Sequence, residues 1–213
     1  MEAWAIVVAA GSGLRFGQPK QYAELAGRRV VEWAVDGARA SCQGVVLVAR
    51  EADVGTLTVV GADTIVAGGE TRSASVRAGL AAVPGRADVI AVHDAARPLA
   101  SADLWAAVLH AVGEGADAAV PAIAVSDTIK RVAGDTVIET LDRHQLVVVQ
   151  TPQAFRADAL RAAHAGEPDA TDDAALVEAA GGRVVTVSGD RRNLKITEPA
   201  DLGVAALWLK GCA

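Results

Sequence analysis

Short runs of branched apolar residues recur along the chain, alternating for most of its length with alanine-rich stretches of helical period. The runs are W-A-I-V-V-A (4–9), G-V-V-L-V-A (44–49), D-T-I-V (63–66), D-V-I-A-V (88–92), A-A-V-P-A-I (118–123) and R-V-V-T-V (183–187). Most are continuously apolar rather than alternating. A strand of that kind is covered on both faces, as in a parallel sheet whose crossovers are helices. Helices are expected over 30–40, 73–83, 102–112, 157–165 and 171–180, with a last one after Thr197 carrying Pro199 in its first turn. Ser101 stands where it can cap the third. The pattern implies a three-layer α/β sandwich with a mostly parallel central sheet. No repeat, linker or low-complexity tract interrupts it, so 1–213 reads as one domain.

Residues 126–143, S-D-T-I-K-R-V-A-G-D-T-V-I-E-T-L-D-R, break this rhythm. Polar and β-branched residues alternate around an Ala-Gly-Asp turn, the signature of a hairpin. Such an arm holds too little apolar surface to stand alone, and a second subunit is the economical support. A strand near 146–149 follows.

Composition narrows the function classes. Twenty basic against 26 acidic residues give a net charge of −6, which argues against bulk nucleic-acid binding. Hydrophobic residues make up 52%, but alanine alone fills 47 positions, so helix and close packing are favoured over a large greasy interior. The longest apolar run, Ala3 to Ala10, falls far short of the ~20 residues of a membrane span, and no basic segment precedes it as in a signal peptide. Cys42 and Cys212 lack metal-ligand or redox-motif spacing, and a reduced cytoplasm is expected.

Five segments carry chemistry. The loop after the first run, Ala9-Ala10-Gly11-Ser12-Gly13-Leu14-Arg15 and then Lys20, reads either as a tight turn or as a backbone cradle for phosphate. It is neither a P-loop nor a complete G-x-G-x-x-G, since position 16 is Phe16. Gly68-Gly69-Glu70-Thr71-Arg72-Ser73-Ala74-Ser75 reads as a strand–helix connector or as a wall around a base or ribose. In His93-Asp94-Ala95-Ala96-Arg97-Pro98, Asp94 lies at the end of a buried strand, where open α/β sheets place ligands. It can serve a turn, or hold a magnesium ion that also binds phosphate oxygens. His93 reads as structural. The arm offers Asp127, Thr128, Lys130 and Arg143, whose plain reading is solvation and edge protection. In Arg192-Asn193-Leu194-Lys195-Ile196-Thr197, Thr197 reads as a helix cap, and Lys195 alternates into an apolar segment where it must find an anion. Thr171-Asp172-Asp173 reads first as an N-cap with acids favoured by the helix dipole. Only four of the 20 basic residues are lysine, and Lys20, Lys130 and Lys195 fall in these segments. No nucleophile–base or paired-carboxylate arrangement stands out.

A-A-G-S-G-L-R with Lys20, G-G-E-T-R-S-A-S-V, H-D-A-A-R-P, D-T-I-K, L-D-R, Q-T-P-Q-A-F, T-D-D and N-L-K-I-T occur in one order across nearly the whole chain. Together they resemble the 2-C-methyl-D-erythritol 4-phosphate cytidylyltransferases. The resemblance implies a Rossmann-like homodimeric transferase of isoprenoid precursor synthesis, whose hairpin arm, residues 124–147, embraces the partner. It implies CTP and methylerythritol phosphate as substrates, with Mg2+ held by Asp94. By the same resemblance Ala9, Ala10, Gly11, Ser12, Gly13, Gly69, Glu70, Arg72, Ser75 and Ala95 bind the nucleotide. Arg15 and Lys20 stabilise the transition state. Arg97, Thr128, Arg143 and Lys195 place the acceptor phosphate, with Thr128 and Arg143 lent by the other subunit, and Arg143 and Lys195 count with the catalytic group. Three other readings stand beside it: a ribitol 5-phosphate cytidylyltransferase, a catalytically silent nucleotide-binding module, and an NAD-dependent dehydrogenase. The last is weakened by the incomplete glycine fingerprint.

Overall fold

A computed structural model of the chain describes residues 1–11, 13, 16–17 and 19–211. Strand β1 (Ala3–Val8) is followed by a two-stranded ribbon, β2 (Glu24–Leu25) and β3 (Arg28–Arg29), and then by helix α1 (Val30–Ser41). Next come β4 (Gly44–Ala49), β5 (Thr64–Ala67), α2 (Arg72–Ala82), β6 (Val89–Asp94), α3 (Ala102–Gly113) and β7 (Ala118–Ala124). The hairpin is β8 (Lys130–Ala133) and β9 (Thr136–Thr140). The rest is β10 (Val147–Val149), β11 (Gln153–Arg156), α4 (Ala157–Ala163), α5 (Asp173–Ala179), β12 (Val184–Ser188) and α6 (Pro199–Lys210).

The apolar runs pair as their composition requires. β1 lies parallel between β4 and β6, β5 extends the sheet beyond β4, and β12 runs parallel to β7. β11 is antiparallel to both β6 and β7, and β10 is antiparallel to β7. The central sheet is therefore mostly parallel, with two reversed strands, β11 wedged between β6 and β7 and β10 on the other side of β7. Alternation along the strands sorts the two covering layers. Ala5, Val7, Val45, Leu47 and Ala91 face α1 and α3, whereas Ile6, Val46, Val48, Ile90 and Val92 face α2, α4 and α5. A smaller cluster packs α6, through Ala205, on Phe16, Leu25, Val30 and Ile196.

From β1 the chain steps outward to β4 and β5, and α2 then returns it to β6 on the other flank of β1. The strand order thus reverses between β1 and β6, whose last residues, Val8 and Asp94, are register partners. A crevice opens beyond the carboxyl ends of strands at such a point, because the loops leaving them diverge. The hairpin β8–β9 is exposed at every residue and turns through Gly134, at φ +59°. Its strands pair with one another and not with the central sheet.

Candidate active site

The crevice at the β1/β6 end is a cleft of about 610 Å³. One wall is the loop leaving β1. Ala9 N–H donates to the Val48 carbonyl at 2.7 Å, and the buried Gln21 amide donates to the carbonyls of Ala9 (2.8 Å) and Gly11 (3.1 Å). With those carbonyls tied down, Ala9, Ala10, Gly11 and Gly13 line the cleft beside Lys20. Gly13 has φ +69°, a region open to glycine and strained for other residues. Two residues assigned to this loop from the sequence, Ser12 and Arg15, lie outside the described residues.

The opposite wall is the β5–α2 connection, where Gly69, Glu70, Thr71, Arg72 and Ser75 line the cleft. The glycine pair is required by packing: a Cβ on Gly68 would sit 2.4 Å from Ala10 Cβ, and one on Gly69 2.5 Å from Ala74 Cβ. The connector and wall readings of this segment are therefore compatible, since the two loops touch. Thr71 caps α2 by accepting from Ala74 N–H, and Ser75 Oγ accepts from Gly69 N–H at 3.2 Å. The helix accordingly begins at Arg72, one residue before the position expected from sequence.

Asp94, Ala95 and Ala96 form the floor. Lys195 Nζ stands 2.6 Å from Asp94 Oδ2, and Arg72 Nε lies 3.5 Å from Oδ1. Lys195 is paired with an anion as expected, although its own side chain is 42% exposed. Burial works to raise the Asp94 pKa, but Lys195, Arg72 and Arg97 together outweigh it and hold the carboxyl well below the usual carboxylate range. Arg72 is itself anchored from behind: its Nη1 lies 2.6 Å from Oδ2 of the fully buried Asp173, whose Oδ1 is 3.0 Å from His164 Nε2. Burial alone would lower the Arg72 pKa, yet Asp173 and Asp94 raise it.

A side chamber of about 140 Å³ opens off the cleft, bounded by Arg97, Val149, Gln150, Thr151, Gln153, Thr171 and Asp172. Arg72, Asp94 and Lys195 line both spaces and form the partition between them. Arg97 reaches the chamber from the loop after β6, with Nη1 donating to the Asn193 carbonyl at 2.8 Å.

His93 is structural, as the sequence suggested. It is fully buried, Nδ1 lies 3.1 Å from Thr151 Oγ1, Nε2 lies 3.0 Å from the Arg97 carbonyl, and burial pushes its pKa down to about 4. The arm residues stand apart. Thr128 and Arg143 are exposed, and neither lines the cleft or the chamber of its own chain; Arg143 Nη1 donates to the Ser126 carbonyl at 2.9 Å. Lys130 Nζ donates to Thr140 Oγ1 across the hairpin. The cap expected at Thr197 is corrected: Glu198 caps α6, paired reciprocally with Asp201, while Thr197 N–H donates to the Asp201 carboxylate and Thr197 lines the cleft. Sequence reasoning missed Gln21, Phe16 and Asp173. The T-D-D motif was visible, but only the structure separates Asp172, which caps α5, from Asp173, which turns inward to hold Arg72.

A glycine loop lining the cleft, a lysine beside it and an ionised aspartate among cations suit the handling of a polyphosphate. The family profile described as IspD: 2-C-methyl-D-erythritol 4-phosphate cytidylyltransferase matches residues 3–211. The chain belongs to this family. Relatives that carry the same description include that of Rhodococcus jostii, 44% identical over 209 residues, covering 94% of this chain and 92% of that protein. That of Rubrobacter xylanophilus is 41% identical over 212 residues, with the same shares covered. A bifunctional enzyme IspD/IspF from Rhodopseudomonas palustris is 46% identical over 212 residues, 92% of this chain but 53% of that protein. The chain thus spans about half the length of the bifunctional relatives it matches. The crystal structure of the cytidylyltransferase from Thermus thermophilus superimposes with a TM-score of 0.82 at 34% identity, covering 96% of this chain and 98% of that one. The Rossmann-like three-layer expectation and the family resemblance both hold.

Proposed function

We propose that the chain transfers a cytidylyl group from CTP to 2-C-methyl-D-erythritol 4-phosphate, releasing pyrophosphate, in isoprenoid precursor synthesis. The observation that supports this most is the pair of unequal spaces meeting at one charged partition of Arg72, Asp94 and Lys195. The larger space, with its glycine loop and Lys20, suits a nucleoside triphosphate. The smaller, with Arg97, Thr151 and Thr171, suits a short phosphorylated polyol. An oxygen of the acceptor phosphate attacks the α-phosphorus of CTP, the α–β P–O bond breaks, and pyrophosphate departs with the bonding pair. The nucleophile is already an anion, so no general base is required. The task left to the protein is to bring two anions together in line and to neutralise charge, and the cations around Asp94 are placed for that.

Asp94 fits a magnesium ion. It is an ionised carboxylate on the cleft floor, and since no group of three or more metal-ligating side chains is gathered among the described residues, it would have to share the ion with substrate oxygens and water. Magnesium commonly takes one or two carboxylates and completes its shell with phosphate oxygens and water. When bound it would neutralise triphosphate charge. Arg15 and Lys20 are assigned to the transition state, Ala9 to Gly13, Gly69, Glu70, Arg72, Ser75 and Ala95 to the nucleotide, and Arg97 and Lys195 to the acceptor. Thr128 and Arg143 are assigned to the site of a partner subunit. Val132, Val137 and Ile138 on the hairpin and Val147 to Val149 beside it are exposed apolar residues, which supports residues 124–147 as a dimerisation arm. A cytoplasmic location suits these substrates.

Pyrophosphate release tests the proposal, measured with CTP and magnesium against methylerythritol phosphate, ribitol 5-phosphate and no acceptor. Release with methylerythritol phosphate alone is expected. Preference for ribitol 5-phosphate would move the enzyme to another pathway with the same chemistry. Binding of CTP without release for either acceptor would make the chain a silent nucleotide-binding module.

A further inference from the structure

Five buried side-chain atoms of the described residues lack a hydrogen-bond partner: Arg97 Nε, Trp105 Nε1, Gln153 Oε1, His164 Nδ1 and Asn193 Oδ1. Of these residues only Arg97 and Gln153 line the side chamber. Gln153 is 2% exposed and stands on β11 opposite Val92 of β6. Chemistry settles which way its amide points. Nε2 donates to Asp172 Oδ2 at 2.8 Å, and an ionised carboxylate can only accept. Nor is Asp172 free to turn away, because its other oxygen caps α5 by accepting from the N–H groups of Ala174 and Ala175. A flipped amide would set oxygen against oxygen. Oε1 is therefore a committed acceptor, desolvated and without a donor, in a residue on the chamber wall. Such an atom carries a penalty that a matching donor removes.

The donor's chemistry follows from its neighbours. Arg72, Arg97 and Lys195 outnumber Asp94 and Asp172 around the chamber, so a cationic donor is disfavoured, and an anion bearing neutral hydroxyls is favoured. The chamber of about 140 Å³ is also far larger than one water requires. We propose that Gln153 is a specificity-determining residue, whose Oε1 accepts a hydrogen bond from a hydroxyl of the phosphorylated polyol acceptor and so selects against deoxygenated chains. This rests on the assignment of the chamber to the acceptor under Proposed function.

The test is steady-state kinetics of the full chain with methylerythritol phosphate and with analogues that each lack one hydroxyl. Gln153→Met, similar in shape but without the acceptor, is expected to lower kcat/KM for the full acceptor about 10- to 100-fold and to leave KM for CTP unchanged. One deoxy analogue should be penalised by a similar factor in the wild type and no longer in Gln153→Met, which is a pairing that lost packing alone would not produce. Asp172→Asn provides a second route that preserves the shape of the wall. Asparagine caps as well as aspartate, but its amide donates toward Gln153 and engages Oε1 in that contact, so it is no longer an open acceptor. The same loss of hydroxyl discrimination is expected, and this variant decides the question if Gln153→Met does not fold. Wild-type acceptor kinetics and a full deoxy penalty in the folded variants would overturn the proposal. A wild-type chain that releases no pyrophosphate with methylerythritol phosphate would instead remove the functional reading itself, and this inference with it.

Discussion

Lys20 and Tyr22 lie in one short helical turn, Lys20–Tyr22, and they show how single side chains do unlike work there. With Lys20 assigned to the transition state, Lys20→Ala is expected to lower kcat on the order of 10²–10³, by the measure of losing one preorganised charge-stabilising donor. Near-normal turnover would remove that role. Lys195→Arg is also expected to be harmful, because a planar guanidinium does not replace a compact ammonium packed 2.6 Å from Asp94. Tyr22 is the only tyrosine, and burial, aided by its hydrogen bond to Asp53 (2.7 Å), pushes its phenol up to about 12. A raised phenol contributes stability that is complete below its ordinary pKa and is lost as pH rises through the folded value. Ultraviolet difference titration should therefore show no phenolate near pH 10 and a single step near 12, and Asp53→Asn should move that step downward. A step at the ordinary value in both proteins would contradict the contact. At this scale the sequence was legible where a residue type had one plausible use. Lys195 in an apolar segment demanded an anion, and Asp94 is that anion. It was illegible where burial decides: Asp173, Gln21 and Gln153 are ordinary polar letters until the fold places them inside.

Among the elements, α2 meets the sheet at Gly79, and this contact is tight. A Cβ there would lie 2.5 Å from Ile6 Cγ2 and 3.1 Å from Val48 Cγ2. Alanine is the better helix former by about 1 kcal/mol, but overpacking a core commonly costs about 1–3 kcal/mol. Gly79→Ala is thus expected to lower unfolding stability by about 0–2 kcal/mol net, read from urea denaturation. A stabilised variant would show that the helix can shift outward freely. The helices and parallel strands were visible in the sequence because each repeats an unmixed period over several residues. β11 was not. It is four residues, Q-A-F-R, too short for a period to register, and its reversed direction is set by neighbours on both sides rather than by its own composition. The start of α6 was legible from Pro199, but its cap was not: Thr197 and Glu198 are adjacent polar residues, and the reciprocal contact with Asp201 selects the second.

At the level of the whole molecule, the proposed assembly predicts complementation. If one subunit's arm completes its partner's cleft, mixing Lys20→Ala with Arg143→Ala chains under exchange rebuilds one intact site in each mixed dimer, and about a quarter of wild-type activity should return. No recovery in demonstrably mixed dimers would place the arm's contribution within its own chain. The partition between the two spaces also has a consequence in time. Asp94 and Lys195 are separated by 101 residues, and the stretch around Lys195 is further tied to the Asp94 loop by Ile196 N–H to the Ala96 carbonyl and by Arg97 to the Asn193 carbonyl. At about 5–20 residues per second of synthesis, Asp94 leaves the ribosome roughly 5–20 seconds before the lysine that balances it. Through that interval the growing chain can assemble β1, β4, β5 and β6 around an aspartate short of one counterion. The cleft is finished late, so a translation product halted just short of Lys195 would carry most of the scaffold and lack the lysine of the partition.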